Sequence, residues 1–336
     1  MKLKSQNKLA KTKEIAKKCL SDLFYQFRKL IFEFPFISFT VEKPVPETFG
    51  KAQYRFITDR FQRSYYRTAR RLLRLKPVLS YLEIHLVDHC NLNCRGCSHC
   101  SPLADEFFAD IEQHELDIKR LKQLIPDVRE IRLLGGEPLL HPKVTSFFDV
   151  TRAYFPKSKI YMTTNGILLP KMPETFWESC RLNSISIAVT LYPPFHEKES
   201  DLMKLAKKER TTMSVVKNSR FLITTNSKGN SDKEKNFRRC QKWVYCPILV
   251  HGKIYRCSRP PYWRFFNKAF GTNVPNTGYA DIYDPKMTGW KILSSIDKSS
   301  EACRYCTLAL ENTTTTHAWA ISECRREEWD VAIQQH

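Results

Sequence analysis

Glycine is scarce in this chain, ten residues in 336, and long apolar runs are missing altogether. No stretch approaches the length of a membrane-spanning helix, and lysines break up every candidate apolar core in the first thirty residues, so neither an anchor nor an export signal is read from the sequence. Acidic residues are few, 35 against 55 Lys and Arg, giving a formal net charge of +20. The excess is local, because nineteen Lys/Arg stand against six Asp/Glu before residue 80. What is present is a globular composition, 42% hydrophobic and 12% aromatic, which sets disorder aside and allows one large domain or two smaller ones. Twelve cysteines are also present. In a chain read as cytoplasmic, where thiols stay reduced, they point to metal binding over disulfides.

Four of those cysteines fall within eleven residues in the stretch Leu82 to Pro102, LEIHLVDHCNLNCRGCSHCSP. An apolar run that reads as a buried strand breaks there into a loop with Cys90, Cys94 and Cys97 in a C-x3-C-x2-C array and Cys100 a further x2 on. Thiolates so close in sequence can converge on one metal centre. A zinc site would bring a second C-x2-C or His pair at finger spacing, and the nearest such pair is about two hundred residues downstream. A ferredoxin run, C-x2-C-x2-C-x3-C-P, is begun by Cys94, Cys97 and Cys100 but lacks its fourth cysteine and proline.

A third arrangement, a cluster held by three thiolates with one iron left open, resembles the radical S-adenosylmethionine (radical SAM) family, whose signature is C-x3-C-x2-C after the first strand. A second motif supports the resemblance: IRLLGGEPLLHP, Ile131 to Pro142, sits one helix downstream at the end of the next apolar strand. The resemblance implies a 4Fe-4S cluster on Cys90, Cys94 and Cys97, and S-adenosylmethionine held at Gly135, Gly136, Glu137 and Pro138, whose backbone groups face the methionyl amino group. Glycines without a β-carbon allow close backbone approach, and Pro138 stiffens the exit. One departure concerns the residue before the third cysteine. It is aromatic in many relatives, where it lies near the adenine, and is Gly96 here.

Upstream, Lys8 to Phe34 shows apolar residues at helical spacing among lysines, ended by Pro35. Residues 35–58 read as a proline-bearing connector, and Gln62 to Leu75 as a second basic helix. The first helix either packs its Phe/Leu face on the body of the protein or lies on an anionic membrane surface; nothing firm points to nucleic acid. Downstream, strands are expected at Glu130–Leu134, Lys159–Thr164, Ser184–Leu191, Thr212–Val216 and Arg220–Thr224, and helices at Ile111–Ile125, Pro142–Phe155, Pro173–Arg181 and Glu197–Arg210. Such alternation calls for an α/β fold with a parallel sheet, and ligands gather at the carboxyl ends of its strands. The expected architecture is the partial (β/α)6 barrel of the family resembled. Thr164, Asn165 and Thr190, at the ends of strands three and four, join the cofactor-site candidates.

From Cys240 the pattern changes. Val244 to Tyr255 reads as a hairpin around His251-Gly252, flanked by Cys246 and Cys257, and Cys303-x2-Cys306 follows. Cys240-x11-Gly252-x4-Cys257 with the later C-x2-C resembles the twitch domain, a shortened SPASM domain carrying an auxiliary cluster. Cys257, Cys303 and Cys306 are its expected ligands, with Cys240 or Cys246 the fourth; a zinc ribbon uses the same spacing. Cys100 and Cys324 are left as candidate hydrogen-atom donors. The expected domains are thus 1–79, a basic helical extension; 80–235, the radical SAM core; and 236–336, a C-terminal auxiliary-cluster extension.

Together these features imply a cytoplasmic enzyme, peripheral to the inner membrane surface if the basic helix docks there. The family resembled draws electrons from a donor such as flavodoxin or ferredoxin, makes a 5'-deoxyadenosyl radical and takes hydrogen from its substrate. The expectation here is a small polar substrate, a sugar or nucleotide-sugar, oxidised or epimerised. Peptide maturation is the neighbouring alternative, and a non-catalytic, zinc-binding adaptor the alternative from another class.

Overall fold

The computed structural model describes residues 67–243, 246–308 and 316–331. The expected Lys8–Phe34 helix lies outside them, and residues 67–72, within the second basic segment, are helical. The chain divides into two units at Leu75–Lys76, and the described residues from Lys76 onwards belong to the second.

The second unit is organised on one mixed sheet. Strands β1 (Val78–His85), β2 (Asp127–Leu134), β3 (Lys159–Thr164), β4 (Ile185–Leu191) and β5 (Met213–Lys217) run parallel in spatial order β5-β4-β3-β2-β1. Helices α1 (Ile111–Leu124), α2 (Val144–Tyr154), α3 (Glu174–Leu182) and α4 (Glu199–Lys208) connect them, as expected for a βα repeat. Asp110 caps α1 by accepting the Gln113 amide at 2.8 Å, and Pro126 prevents its continuation.

Successive side chains on a strand point to opposite faces, so the strands divide the sheet in two. Leu82, Ile84, Ile131, Leu133, Ile160, Met162, Ile185, Ile187 and Val189 pack with Ile118, Leu121, Phe147, Phe148, Phe176 and Leu202 of the helices in one apolar core. The other face carries Tyr81, Glu83 and His85 on β1, Glu130 and Arg132 on β2, Tyr161 and Thr163 on β3, and Ser186 and Thr190 on β4. A parallel sheet covered by helices on both sides would read as unbroken apolar runs; this alternation belongs to a sheet whose second face is reserved for something polar.

The remaining strands depart from the expected order. Arg220–Leu222 (β6) does not join the parallel sheet but pairs antiparallel with Thr316–Ala318 (β10). The place beside β1 is taken by Ile248–Val250 (β7), parallel to it, with Lys253–Tyr255 (β8) and Tyr279–Asp281 (β9) continuing antiparallel. His251 and Gly252, with φ of 47° and 69°, make the turn between β7 and β8, the doubly positive geometry of a tight hairpin. Three further helices, α5 (Lys233–Trp243), α6 (Trp263–Phe270) and α7 (Gly289–Ile296), complete the unit. Tyr262, Trp263 and Phe266 build a second apolar cluster with Ile248, Val250, Leu134 and Cys100. Among the described residues no helix is long and apolar enough to cross a membrane.

Candidate active site

The cysteine loop leaves β1 and turns twice, Cys97 N–H donating to Cys94 O (3.2 Å) and Cys100 N–H to Cys97 O (2.9 Å). Cys94 is buried, and Cys90 and Cys97 are half-buried. Burial pushes the Cys90 thiol up to about 12, with Glu137, Cys97 and Cys94 adding to the rise. It pushes Cys94 up to about 11, against a hydrogen bond from Trp319. The Tyr192 hydroxyl, just past β4, is raised by burial and then by Cys94, Cys97, Cys90 and Glu137, so all three thiols lie within electrostatic reach of one group. Cys100 instead packs in the second apolar cluster. The loop therefore offers three thiols to a common space and buries the fourth among carbon.

Gly135 and Gly136 zip this loop to the exit of β2. Gly136 N–H donates to Val87 O (2.6 Å) and Glu137 N–H to His89 O (3.1 Å). A β-carbon at Gly135 would stand 2.3 Å from Val87 O, and one at Gly136 2.0 Å from His89 O, so no side chain fits at either position. The close approach visible here is between two strand exits. Glu137 is fully buried, and burial pushes its carboxyl up to about 7 against the hydrogen bonds that stabilise its charge. Those come from Thr164 Oγ1 (2.6 Å), the Asn165 amide (2.8 Å) and the Leu139 amide (3.0 Å). Asn165 passes the connection on, its Nδ2 donating to Asn91 Oδ1 at 2.7 Å and to Cys90 Sγ at 3.7 Å. Pro138 opens a short 3-10 turn, Pro138–Leu140. The exits of β1, β2 and β3 are thus locked through Glu137 and Asn165, and Thr190 stands on the polar face of β4 beside them.

The cover over this loop has no local signature in the sequence. Residues 316–331 lie over the cysteine loop: Arg95 N–H donates to Ala320 O (2.9 Å) and Ser322 N–H to Asn93 O (2.8 Å). Trp319 Nε1 donates to Cys94 Sγ at 3.1 Å and Trp329 Nε1 to Cys97 O at 2.9 Å. His317 occupies the space above Gly96, its Nε2 2.7 Å from where a β-carbon would be. The only available hint was two tryptophans in an otherwise polar tail. Cys324 lies on the same segment, exposed, its Sγ 3.6 Å from Pro102 O.

A second set of thiols gathers around Arg259. The β7–β8 hairpin brings Cys246 and Cys257 together, and a hydrogen bond from the Cys246 thiol holds Cys257 low while that same bond, and then burial, hold Cys246 high. Cys240 and Cys306 are raised by burial, Cys257 adding to both, and Cys303 adds to Cys306. Arg259 Nη1 donates to Cys306 Sγ at 3.5 Å, and Arg259 is charged against Cys306, Cys257, Cys240 and Cys246. β1 joins the two sets, since Glu83 lies in electrostatic reach of Cys257 and Cys246 while Cys90 follows the end of the same strand.

Between them runs a buried chain of polar groups. The Tyr262 hydroxyl bonds His85 Nδ1 (2.5 Å), His85 Nε2 bonds Asp88 Oδ1 (2.5 Å), and Arg264 Nη2 donates to Asp88 Oδ2 (2.7 Å). Burial alone would raise Asp88, but His85 and Arg264 outweigh it and hold the carboxyl low. Among the described residues no three His, Cys, Asp or Glu side chains converge as ligands of a single ion do. A four-iron cluster takes its thiolates at separate irons rather than at one centre, and Cys90, Cys94 and Cys97 lie within electrostatic reach of one another.

Residues 84–225, from the last residues of β1 to just past β6, match the family model described as the Radical SAM superfamily. The family implies a 4Fe-4S cluster and S-adenosylmethionine. Among curated relatives, the GTP 3',8-cyclase of Trichodesmium erythraeum (strain IMS101) is 36% identical over 108 residues, 30% of this chain and 32% of the relative. That of Helicobacter pylori (strain ATCC 700392 / 26695) is 36% identical over 98 residues, 28% of this chain and 30% of the relative. The chain thus spans about a third of the length of the curated relatives it matches. Among solved structures, BtrN in complex with AdoMet and 2-DOIA aligns at a TM-score of 0.42 and 17% identity, covering 68% of this chain and 85% of that one. Streptococcus suis SuiB bound to precursor peptide SuiA aligns at 0.31 and 12%, covering 87% and 78%.

Proposed function

We propose that this chain is a radical SAM enzyme with a second, auxiliary cluster, acting on a small polar substrate such as a sugar or nucleotide-sugar by oxidation or epimerisation. The observation that carries the reading is the three-thiol space of Cys90, Cys94 and Cys97, from which Cys100 is withdrawn into apolar packing. Those three thiols would hold the 4Fe-4S cluster, leaving one iron for S-adenosylmethionine. When bound and reduced, cluster and cofactor supply a 5'-deoxyadenosyl radical able to take hydrogen from an unactivated carbon. The chain's own part is to hold and shield. Gly135 to Pro138 and Thr164-Asn165 would line the cofactor's end of the site, and residues 316–331 cover the cysteine loop.

Cys257, Cys303 and Cys306, with Cys240 or Cys246, would hold the auxiliary cluster, and the half-buried Arg259 would offset its negative charge. Electrons would come from a flavodoxin or ferredoxin. The hydrogen-donor role considered for Cys324 has little support, because an exposed thiol does not meet a shielded radical. The name shared by the relatives, GTP 3',8-cyclase, adds a purine nucleotide as a second substrate reading.

Anaerobic purification with iron and sulfide counting, followed by reduction with S-adenosylmethionine, tests the class through release of 5'-deoxyadenosine. About eight irons per chain are expected for two four-iron clusters. Zinc in place of iron, with no cofactor cleavage, would leave the adaptor reading. Conversion of GTP in the same assay would favour the nucleotide reading over the sugar one.

A further inference from the structure

The polar face of the sheet holds two buried atoms that the protein itself leaves unanswered. Arg132 is only 7% exposed; its Nε donates to Glu130 Oε1 at 2.8 Å, and its guanidinium lies 4.9 Å from the Tyr161 ring and 5.8 Å from that of Tyr81. Its Nη2 nevertheless has no acceptor, and Thr163 Oγ1 has no partner either. Arg132 stands opposite Tyr161 in the β2–β3 register, so Thr163, two residues further along β3, is its diagonal neighbour on the same face. Ser186, Thr190 and Ser214 continue that face with hydroxyl groups across β4 and β5. The place is central: Thr163 is two residues before Asn165, which reaches Cys90, and Glu83, paired with Arg132 across β1–β2, reaches towards Cys257 and Cys246. Buried donors left unpaired cost stability, and such a cost persists where a ligand supplies the missing partner.

The charges select the ligand. Glu130 already neutralises Arg132. Glu83, opposite Arg132 across β1–β2, is a second buried carboxyl on this face. A further anion here would face two carboxyl groups with no free counter-charge, whereas a neutral oxygen satisfies the open donor at no electrostatic cost. We propose that this face binds an uncharged, polyhydroxylated part of the substrate, such as a sugar or cyclitol ring, whose oxygens answer Arg132 Nη2 and Thr163 Oγ1. This rests on the radical SAM reading for its purpose, since it sets the ring between the two thiol sets.

The test is calorimetric titration of the full chain, its clusters reconstituted anaerobically and left unreduced so that no turnover occurs. The probes are myo-inositol and D-glucose against D-gluconate and D-glucose 6-phosphate. The uncharged probes are expected to bind, and to lose at least about tenfold in affinity in Arg132→Met and in Thr163→Val. Thr163→Val is also expected to raise the melting temperature of the unliganded protein, because it removes an orphaned buried hydroxyl. Tighter binding of the charged probes, absence of binding by any probe, unchanged affinity in both variants, or a lowered melting temperature in Thr163→Val would each overturn the proposal. Failure to form 5'-deoxyadenosine while these results hold would defeat the radical reading and leave the polyol site standing.

Discussion

Trp319 donates its indole N–H to Cys94 Sγ from a segment more than two hundred residues away. A hydrogen bond to a cluster-ligating sulfur stabilises the reduced, more negative state, so Trp319→Phe is expected to lower the first cluster's potential by tens of millivolts. A redox titration followed by electron paramagnetic resonance reads this directly, and an unchanged potential would mean that Cys94 ligates nothing. Glu83 offers a different measurement. In the unfolded chain its carboxyl ionises at its ordinary 4.5, and in the folded protein only near 7, because burial opposes its charge. Between those values the folded state holds the extra proton, so stability falls as pH rises from 4.5 to 7 and the full penalty applies above 7. The shift amounts to about 3 kcal/mol. Glu83→Gln keeps an acceptor for Tyr81 and removes the penalty. Denaturant unfolding should show the variant gaining about 2 kcal/mol on the parent between pH 5 and pH 7.5.

At the level of elements, the exit of β1 is tied to the turn before α6 by the Tyr262–His85–Asp88–Arg264 chain. Tyr262→Phe leaves His85 Nδ1 buried without its partner, which should cost about 1–3 kcal/mol in unfolding free energy. A neutral result would show that the hydroxyl was not holding the ring. The β7–β8 hairpin was legible in the sequence, because His251-Gly252 between apolar residues reads as a tight turn, and both residues have positive φ. So were most helices and parallel strands, whose periodic apolar residues face one core. The destination of β6 was not legible. Arg220–Leu222 has the composition of a strand, and nothing local says that it pairs with Thr316–Ala318 rather than with β5.

On the scale of the whole molecule, the described residues from Lys76 onwards form one compact unit built outwards from β1, with β2 on one side and β7 on the other. That placement sets one group of cysteines in the loop after β1 and the other next to β7, the strand paired with β1. If both carry four-iron clusters, the double variant Cys303→Ser, Cys306→Ser should bring iron from about eight to about four per chain, with 5'-deoxyadenosine still formed at the first site. An iron count that stays at eight would remove these two cysteines from any cluster.

The sequence by itself determined the parallel α/β repeat, the three-cysteine loop, the glycine pair and the turn that joins Cys246 to Cys257. Each of these is a local matter of spacing, periodicity or backbone conformation. Tertiary structure alone decided that Glu137 braces three strand exits, that tryptophans from residues 316–331 close over the cysteine loop, and that Arg132 and Thr163 share a face with open hydrogen-bonding positions. The physical reason is that hydrogen bonding and burial between residues far apart in the chain depend on register and on which surfaces meet, and neither is written in any one stretch of sequence.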